Sequence, residues 1–290
     1  MWVSDKWKDY EILEAVNGEK LERFGEYLLI RPDPQIIFDT KKSNNWKNVN
    51  AHYHRSKSGG GAWDIKDLPE IFYINYEIDN KNLRFQLQPF GFKHTGIFPE
   101  QATNWEFSYN KIKNSGRDIK VLNLFGYTGG ATVSAALAGA SVVHVDASKG
   151  MVTIAKENAR LSNLENANIR YIVDDCSKFV SREIRRGNKY DAIIMDPPSF
   201  GRGPKGEPWK IEEQISNFIE LVVQVLSDNP LFIIINSYTT GLSPYVMQYI
   251  LQEKLKNIGF SCKCESNELG LVVKSNGYYL PQGGATRCEF

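Results

Sequence analysis

Three aspartates and one glycine-rich turn lie directly after apolar runs of the chain. The turn covers residues 125–129, and the aspartates are Asp146, Asp175 and Asp196. Glycine lets a ligand approach the backbone closely, and the first N–H groups of a helix bind a carboxylate or a phosphate. Asp146 could accept hydrogen bonds from a ribose diol, and an acid of the run Asp174-Asp175-Cys176 could accept from an adenine amino group. A helix cap is the alternative role for Asp146.

The run Asp196-Pro197-Pro198-Ser199-Phe200 combines a carboxylate, a rigid turn and an aromatic ring. Both proline φ angles are locked, so a Pro-Pro pair after a strand fixes the backbone beside Asp196. Asp196 could orient or deprotonate an amine or the edge of a planar acceptor, and Phe200 could stack on a base. We therefore select Asp196, Pro197, Pro198 and Phe200 as catalytic candidates. The alternative is that the prolines only end a strand and that Phe200 belongs to the core.

Two basic segments indicate contacts with a polyanion. Residues 40–63 contain no acid, and their basic residues are interleaved with Trp46, Tyr53 and Trp63. Basic groups neutralise phosphates while aromatic rings stack on bases. A second group follows Phe200 in a loop rich in glycine and proline, which is typical of a mobile lid. The candidate substrate contacts are Lys41, Lys42, Arg55, Lys57, Arg202 and Lys205. A solvated surface is the alternative for the first segment.

The elements that must position these residues alternate between strands and helices from Ile119 onward. Strand-like runs cover 120–125, 141–146, 169–174, 191–196 and 231–236, and helix-like runs cover 131–138, 149–161, 178–186, 211–226 and 244–258. Aliphatic strands without in–out alternation indicate a parallel sheet that helices cover on both faces. Ligands of such sheets bind outside the carboxyl ends of the strands, where the glycine-rich turn and the aspartates fall.

The first ninety-odd residues predict a β-rich region instead. Strand-like segments 26–31 and 35–39 flank Pro32-Asp33-Pro34, and segments 71–78 and 83–87 flank a hairpin turn. Pro99 opens a helical run through Lys113, and residues 260–290 should end as antiparallel strands. We expect a β-rich N-terminal domain over 1–95, which could bind the substrate, a helical connector over 96–118, and an α/β domain over 119–290.

Composition excludes several classes of protein. Lys plus Arg is 35 and Asp plus Glu is 34, and a formal net charge of +1 excludes a strongly basic, histone-like polyanion binder. Four cysteines are too few for a disulfide scaffold, and we expect Cys262 and Cys264 to be reduced structural thiols without a metal. The charged N-terminus does not resemble a signal peptide, and the longest aliphatic stretch is too short to span a bilayer. We expect a cytoplasmic protein without membrane contact.

The motifs resemble those of class I S-adenosylmethionine-dependent methyltransferases, in the branch related to large-subunit ribosomal RNA methyltransferases. The resemblance rests on NLFGYTG at 123–129, on Asp146 and Asp175, and on DPPSF at 196–200. It extends upstream to LERFG at 21–25, IRPDPQ at 30–35 and FKHTGIFPEQ at 92–101, and so covers nearly the whole chain. It implies a Rossmann-like, doubly wound and mostly parallel sheet with S-adenosyl-L-methionine as the cofactor. The turn lacks the G-x-G-x-x-G spacing of dinucleotide sites.

The resemblance also implies roles in cofactor binding. The backbone of the turn would surround the methionine part, Asp146 would hold the ribose hydroxyls, and Ala147 would pack beside the adenine. Asp175 would accept from the adenine amino group, and the Cys176 N–H would face the ring. A connector segment would close the pocket. The implied residues are Thr95, Phe98, Gln101, Phe125, Gly126, Tyr127, Thr128, Gly129, Asp146, Ala147, Asp175 and Cys176.

The function implied is methylation of a base in ribosomal or other structured RNA by direct in-line transfer. Related cytosine-C5 enzymes use a cysteine nucleophile after the fifth strand, and residues 236–242 contain none. Amino-group methyltransferases usually place an aromatic residue directly after the Pro-Pro pair, whereas Ser199 intervenes here. Two alternatives remain: a methyltransferase that acts on a protein or a small molecule, and a non-catalytic RNA-binding module that retains the cofactor pocket.

Overall fold

The chain divides into two units. The computed structural model describes residues 1–39, 41–56, 60–202 and 208–290. The first unit comprises Met1–Trp2, Thr103–Leu269 and Gly283–Phe290, and the second unit comprises Val3–Ala102 and Gly270–Gln282. The glycine-rich turn and the candidate aspartates therefore lie in the first unit, whereas Thr95, Phe98 and Gln101 lie in the second.

The secondary structure of the described residues has the following bounds. The strands are β1 Trp2–Val3, β2 Tyr10–Val16, β3 Glu19–Phe24, β4 Tyr27–Pro32, β5 Ala51–Arg55, β6 Gly61–Ile65, β7 Phe72–Ile78, β8 Lys81–Leu87, β9 Lys120–Leu124, β10 Ser141–Asp146, β11 Ile169–Val173, β12 Ala192–Met195, β13 Phe200–Arg202, β14 Pro208–Lys210, β15 Phe232–Ser237, β16 Lys263–Val272 and β17 Tyr279–Glu289. The α-helices are α1 Ala102–Lys113, α2 Gly130–Leu137, α3 Lys149–Leu161, α4 Cys176–Arg186, α5 Ile211–Val222 and α6 Pro244–Asn257. Short 3-10 helices cover Asn44–Lys47, Pro99–Gln101 and Val223–Val225.

The strand order of the first unit confirms the predicted doubly wound sheet. β11, β10, β9, β12 and β15 are neighbours in this order and pair in parallel. β17 runs antiparallel beside β15, and β16 and β1 follow it. The order reverses between β9 and β12, and ligands of open α/β sheets bind at such a reversal, outside the carboxyl ends of the strands. Asp146 is the last residue of β10, and Asp196 follows β12 directly.

Both faces of this sheet are buried, which explains why its strands show no in–out alternation. Successive side chains of a strand point to opposite faces. Leu122 belongs to an apolar cluster with Phe179 of α4 and Leu251 of α6, whereas its neighbour Val121 belongs to a cluster with Ala135 of α2. Helices on both faces thus bury the whole of β9. No helix in the described ranges combines the length and the apolar character that a membrane span needs.

A disulfide joins Cys264 of β16 to Cys288 of β17. The expectation of a reduced Cys262–Cys264 pair is therefore wrong. β16 and β17 are neighbours in the sheet, and their pairing brings together two cysteines that are far apart in sequence. The Cys262 thiol lies 3.5 Å from Cys264 Sγ, and burial raises the pKa of Cys262.

The second unit is rich in β-structure, as predicted. Its five-stranded sheet has the order β2-β3-β4-β5-β6, with β4 and β5 parallel, and β7 and β8 form a separate hairpin. Asp79 and Asn80 have positive φ angles in the hairpin turn, as short hairpin turns require. The strand predicted over 35–39 is wrong: the Asp33 carboxylate accepts from the Gln35 N–H at 3.1 Å and holds the chain in a turn.

Candidate functional site

The glycine-rich turn between β9 and α2 has a tightly specified backbone. Phe125 and Tyr127 have positive φ angles of 56° and 49°, which residues other than glycine rarely adopt. The Gly126 N–H donates to the Val145 carbonyl at 3.0 Å, and the Gly129 N–H donates to the Gly126 carbonyl at 2.9 Å. Because α2 begins directly after Gly129, the turn ends in the unpaired N–H groups of a helix N-terminus.

The turn packs on His144 of β10. A Cβ atom on Gly126 would lie 2.4 Å from His144 Cε1, so this position has no room for a larger residue. Asn123 Nδ2 donates to Thr132 Oγ1 at 2.8 Å, and the same hydroxyl is hydrogen-bonded to His144 Nδ1, also at 2.8 Å. Burial lowers the pKa of His144 to about 4. The sequence predicts the packing of His144 in a strand but not these partners.

Asp146 is a half-buried carboxylate that joins the turn to the start of α3. Its Oδ2 accepts from the Tyr127 N–H at 2.9 Å, and its Oδ1 accepts from the Ser148 N–H at 2.8 Å. Burial raises the pKa of Asp146, although both N–H donors oppose the shift. The cap of α3 is Ser148 and not Asp146, because the Ser148 side chain accepts from the Met151 N–H. Each Asp146 oxygen keeps a lone pair for a ligand hydroxyl, and Ala147 beside it is exposed.

Asp175 and Cys176 follow β11 at the same edge of the sheet. Asp175 caps α4 through Oδ1, which accepts from the Lys178 N–H at 2.9 Å. The Cys176 side chain is buried, and its Sγ accepts from the Phe125 N–H at 3.3 Å. Burial raises the pKa of Cys176 well above its ordinary value. The thiol thus supports the positive-φ backbone of Phe125 and remains protonated.

The Asp196–Phe200 segment is anchored by residues that are distant in sequence. The Asp196 N–H donates to the Leu124 carbonyl at 3.3 Å, which ties the segment to β9. Trp209 Nε1 donates to the Pro198 carbonyl at 2.6 Å, and Thr239 Oγ1 donates to Ser199 Oγ at 2.7 Å. Pro197 is buried, whereas Pro198 is exposed. These bonds hold the backbone around Asp196 independently of the locked proline angles.

Phe200 lies on an exposed β-hairpin next to Asp196. It begins β13 and pairs with Lys210 of β14, and 58% of its surface is accessible. The alternative of a core residue is therefore wrong for Phe200. Trp209 of β14 packs instead, with its ring 5.5 Å from Phe125 and 5.6 Å from Phe218. The hairpin thus connects the Phe200 surface to the glycine-rich turn.

The first unit brings its predicted residues together at one edge of the sheet. The Tyr127 N–H donates to Asp146, and the Phe125 N–H donates to Cys176 Sγ. The Phe125 ring packs against the ring of Trp209, which anchors the Asp196–Phe200 segment. Thr128 is buried, and its carbonyl accepts from Asn158 Nδ2 of α3 at 2.8 Å. Asn123, Thr132, His144, Trp209 and Thr239 support this edge, and sequence reasoning assigned none of them that role.

Three of the predicted cofactor residues lie in the second unit. Thr95 is fully buried, and its Oγ1 has no hydrogen-bond partner within the part of the chain that the structure describes. Gln101 is buried, and the Phe98 ring lies 4.9 Å from the ring of His94. A buried hydroxyl without a partner is costly unless a ligand or a water satisfies it. Their role in cofactor binding stays a prediction.

The basic segment predicted over 40–63 meets acidic side chains in space. Lys42 forms an ion pair with Glu19 at 2.8 Å and lies 4.0 Å from the Trp46 ring centroid. Trp46 Nε1 donates to Glu14 at 2.8 Å. Absence of acids in the sequence therefore does not make this surface uniformly positive. Lys41 and Arg55 are exposed, Arg202 lies on β13, and Lys57 and Lys205 fall outside the described residues.

Comparison with known proteins places the chain in a family. The sequence model of the S-adenosylmethionine-dependent methyltransferases matches residues 44–241. The ribosomal RNA large subunit methyltransferase K/L of Shewanella frigidimarina is 32% identical over 234 residues, which are 78% of this chain and 31% of that relative. A putative ribosomal RNA large subunit methyltransferase of Methanocaldococcus jannaschii is 38% identical over 111 residues, 38% of this chain and 28% of that protein. The chain thus spans about a third or less of these curated relatives.

A solved structure has the same fold over nearly the whole chain. The SAM-dependent methyltransferase from Agrobacterium tumefaciens superimposes with a TM-score of 0.91 and 35% identity, and the match covers 99% of this chain and 92% of that one. A putative SAM-dependent methyltransferase from Streptococcus mutans, with a TM-score of 0.74, is 19% identical and covers 98% of this chain and 76% of its own. The chain belongs to the S-adenosylmethionine-dependent methyltransferase family.

Proposed function

We propose that this protein transfers a methyl group from S-adenosylmethionine to a base in ribosomal or other structured RNA. The observation that carries the proposal is the Asp196–Phe200 segment, which is anchored at Pro198 and Ser199 and displays an exposed Phe200 ring at the edge of the sheet that carries the glycine-rich turn. The names of the curated relatives, which are ribosomal RNA large subunit methyltransferases, support RNA as the acceptor.

The residues at the sheet edge fit the cofactor. The two glycines let the turn pack closely on α3 and β10, because a Cβ atom on Gly129 would lie 2.9 Å from Ala155 Cβ and one on Gly126 would meet His144. Asp146 offers free lone pairs to the ribose hydroxyls, and the second Asp175 oxygen could accept from the adenine amino group. When bound, S-adenosylmethionine supplies an electrophilic methyl group on a positively charged sulfur.

Asp196 and Phe200 would orient the acceptor. In-line methyl transfer needs a nucleophile held in a fixed line and shielded from water. Phe200 would stack on the target base, a contact worth about 1–3 kcal/mol in single-strand binders. The Asp196 carboxylate would accept a hydrogen bond from an acceptor N–H and take up its proton.

The cysteines support direct transfer over a covalent cytosine-C5 mechanism. Such a mechanism needs a thiolate that attacks the ring. Burial raises the pKa of the Cys176 thiol, and that thiol accepts from the Phe125 N–H. Cys264 and Cys288 form a disulfide, and burial also raises the pKa of Cys262. A nitrogen acceptor therefore fits this chain better. We also propose a cytoplasmic location, where ribosomal RNA is available.

The test compares modified nucleosides, by mass spectrometry, in RNA from a strain that lacks the gene and from its parent. Loss of one methylated nucleoside, restored by the wild-type gene and not by Asp196→Asn, supports the proposal. The Asp196→Asn variant should bind S-adenosylmethionine as the wild type does, because Asp196 is assigned to the acceptor. RNA without any missing methyl group overturns the proposal and favours a protein or small-molecule acceptor. Full restoration by Asp196→Asn contradicts the role of Asp196.

A further inference from the structure

Residues 88–95 of the second unit, here called the aromatic turn, display stacked rings at its surface. The Phe90 and Phe92 rings stack with centroids 5.3 Å apart and an interplanar angle of 14°. Trp63 Nε1 donates to the carbonyls of both residues, at 2.8 and 3.3 Å, and so fixes the backbone that carries them. The Phe92 side chain is 41% exposed, so a buttressed ring is available to a planar ligand.

The same unit contains a buried cluster of ion pairs between two cations and two carboxylates. Arg31 donates to Glu22 through Nε at 2.6 Å and Nη2 at 2.7 Å. Lys20 Nζ lies 3.6 Å from Glu22 and 3.5 Å from Asp33. Burial opposes the ionisation of Glu22, but Arg31 and Lys20 outweigh burial and lower the pKa of Glu22 to about 2. Two carboxylates thus offset two cations, and the buried Glu100 adds a further negative charge that acts on Arg31.

Lys93, in the aromatic turn, adds a further cation to this cluster, and Lys20, Arg31 and Arg55 act on it with like charge. Its Nζ donates to the Pro32 carbonyl at 3.4 Å, and the exposed Arg55 adds to the positive potential. Burial first, and then the charge of Lys20, lowers the pKa of Lys93 to about 8, although Asp33 opposes the shift. A half-buried ammonium with cations around it is stabilised by a bound anion.

We propose that Phe92 and Lys93 form a nucleotide-binding subsite of the second unit, in which a base stacks on the Phe92 ring and a phosphate binds the Lys93 ammonium. Proteins that bind single-stranded nucleic acid combine aromatic rings, which stack on bases, with cations, which follow the phosphate backbone. A neutral lipid or an apolar peptide would not need the cation. The proposal rests on RNA being the acceptor, and it names a contact that the sequence segment 40–63 does not contain.

The test is a fluorescence-anisotropy titration of the full chain with a labelled single-stranded RNA oligonucleotide at several salt concentrations. Phe92→Ala should weaken binding about five- to 150-fold, as loss of one stacked base would, and leave the salt dependence unchanged. Lys93→Met should reduce the slope of log K against log salt by about 0.7, as loss of one phosphate contact to a single strand would. Phe38→Ala and Lys81→Met are the matched controls, because Phe38 is 43% exposed and Lys81 is exposed in the same unit.

The outcomes separate this inference from the proposed function. If the wild type binds RNA and both test variants bind like their controls, the subsite is wrong while the RNA acceptor stands. If the wild type does not bind RNA, both the subsite and the proposed RNA acceptor are wrong. An oligonucleotide with abasic sites should lose its sensitivity to Phe92→Ala and keep its sensitivity to Lys93→Met. Equal competition by poly-glutamate would mean a general polyanion surface and would overturn the proposal. All variants should retain the wild-type affinity for S-adenosylmethionine.

Discussion

The contact between Gly126 and His144 predicts a large effect of one methyl group. In Gly126→Ala the new Cβ would lie 2.4 Å from His144 Cε1 and 2.5 Å from Nδ1. His144 is fully buried, and its Nδ1 is held by Thr132, so the turn must move by roughly 1 Å to reach ordinary contact. Overpacking of this kind costs about 1–3 kcal/mol. We expect the free energy of unfolding to fall by that amount, and the affinity for S-adenosylmethionine to fall at least about fivefold because the shift breaks the alignment of Tyr127 with Asp146.

Isothermal titration calorimetry with S-adenosylmethionine measures this effect, and Gly150→Ala is its control. A Cβ atom on Gly150, in the first turn of α3, would find Ser148 Oγ at 3.9 Å as its nearest neighbour. Gly150→Ala should therefore keep the affinity and raise the free energy of unfolding by up to about 1 kcal/mol. The double variant Gly126→Ala/His144→Ala should bind more tightly than Gly126→Ala alone, because the clash is gone. Wild-type affinity in Gly126→Ala would refute the reasoning.

Three further predictions follow from the same edge of the sheet. Asp146→Asn should weaken the binding of S-adenosylmethionine at least tenfold, as measured by calorimetry. Because burial raises the pKa of Asp146, the affinity of the wild type should fall as the pH drops, starting from a higher pH than for an ordinary carboxyl. A wild-type affinity that does not change with pH would contradict this. Trp209→Phe loses the hydrogen bond to the Pro198 carbonyl and should lower kcat for the identified RNA about two- to tenfold, with unchanged affinity for S-adenosylmethionine. A changed cofactor affinity with normal kcat would show that this hydrogen bond does not position the Asp196–Phe200 segment. Burial lowers the pKa of His144 to about 4, so the unfolded chain binds this proton before the folded chain does as the pH falls below about 6.5. By about pH 4 the free energy of unfolding should have dropped by up to about 3 kcal/mol. Urea unfolding of His144→Asn should not show this loss of stability between about pH 6.5 and pH 4.

The parts of the fold that the sequence predicts are those that local pattern determines. The strands of the parallel sheet and its helices follow from apolar runs whose two faces are both buried. Asp146 and Asp196 are predictable because strand ends in such a sheet share one edge. The wrong strand over 35–39 had a similar apolar pattern, but an Asp33 side-chain bond determines the backbone there.

The parts that the sequence does not predict depend on contacts between distant residues. Nothing local marks Trp209 as the donor to Pro198, eleven positions earlier, since a basic loop lies between them. The charge around Lys42 is equally unpredictable from the sequence. Lys42 lies in an acid-free stretch, but Glu19 of β3, 23 positions earlier, forms an ion pair with it. Cys264 and Cys288 are joined only once β16 and β17 pair. In each case tertiary pairing, not composition, determines the chemistry.

The positive φ angles of Phe125 and Tyr127 affect when the conformational cost of ligand binding arises. A residue other than glycine in this region costs about 1–3 kcal/mol and persists only where its surroundings determine it. Here Cys176, Asp146 and Val145 supply the bonds that hold the turn. Folding of the sheet therefore orders the turn before any ligand arrives. Binding then incurs little loss of loop entropy, and the free energy of each new contact appears in the affinity.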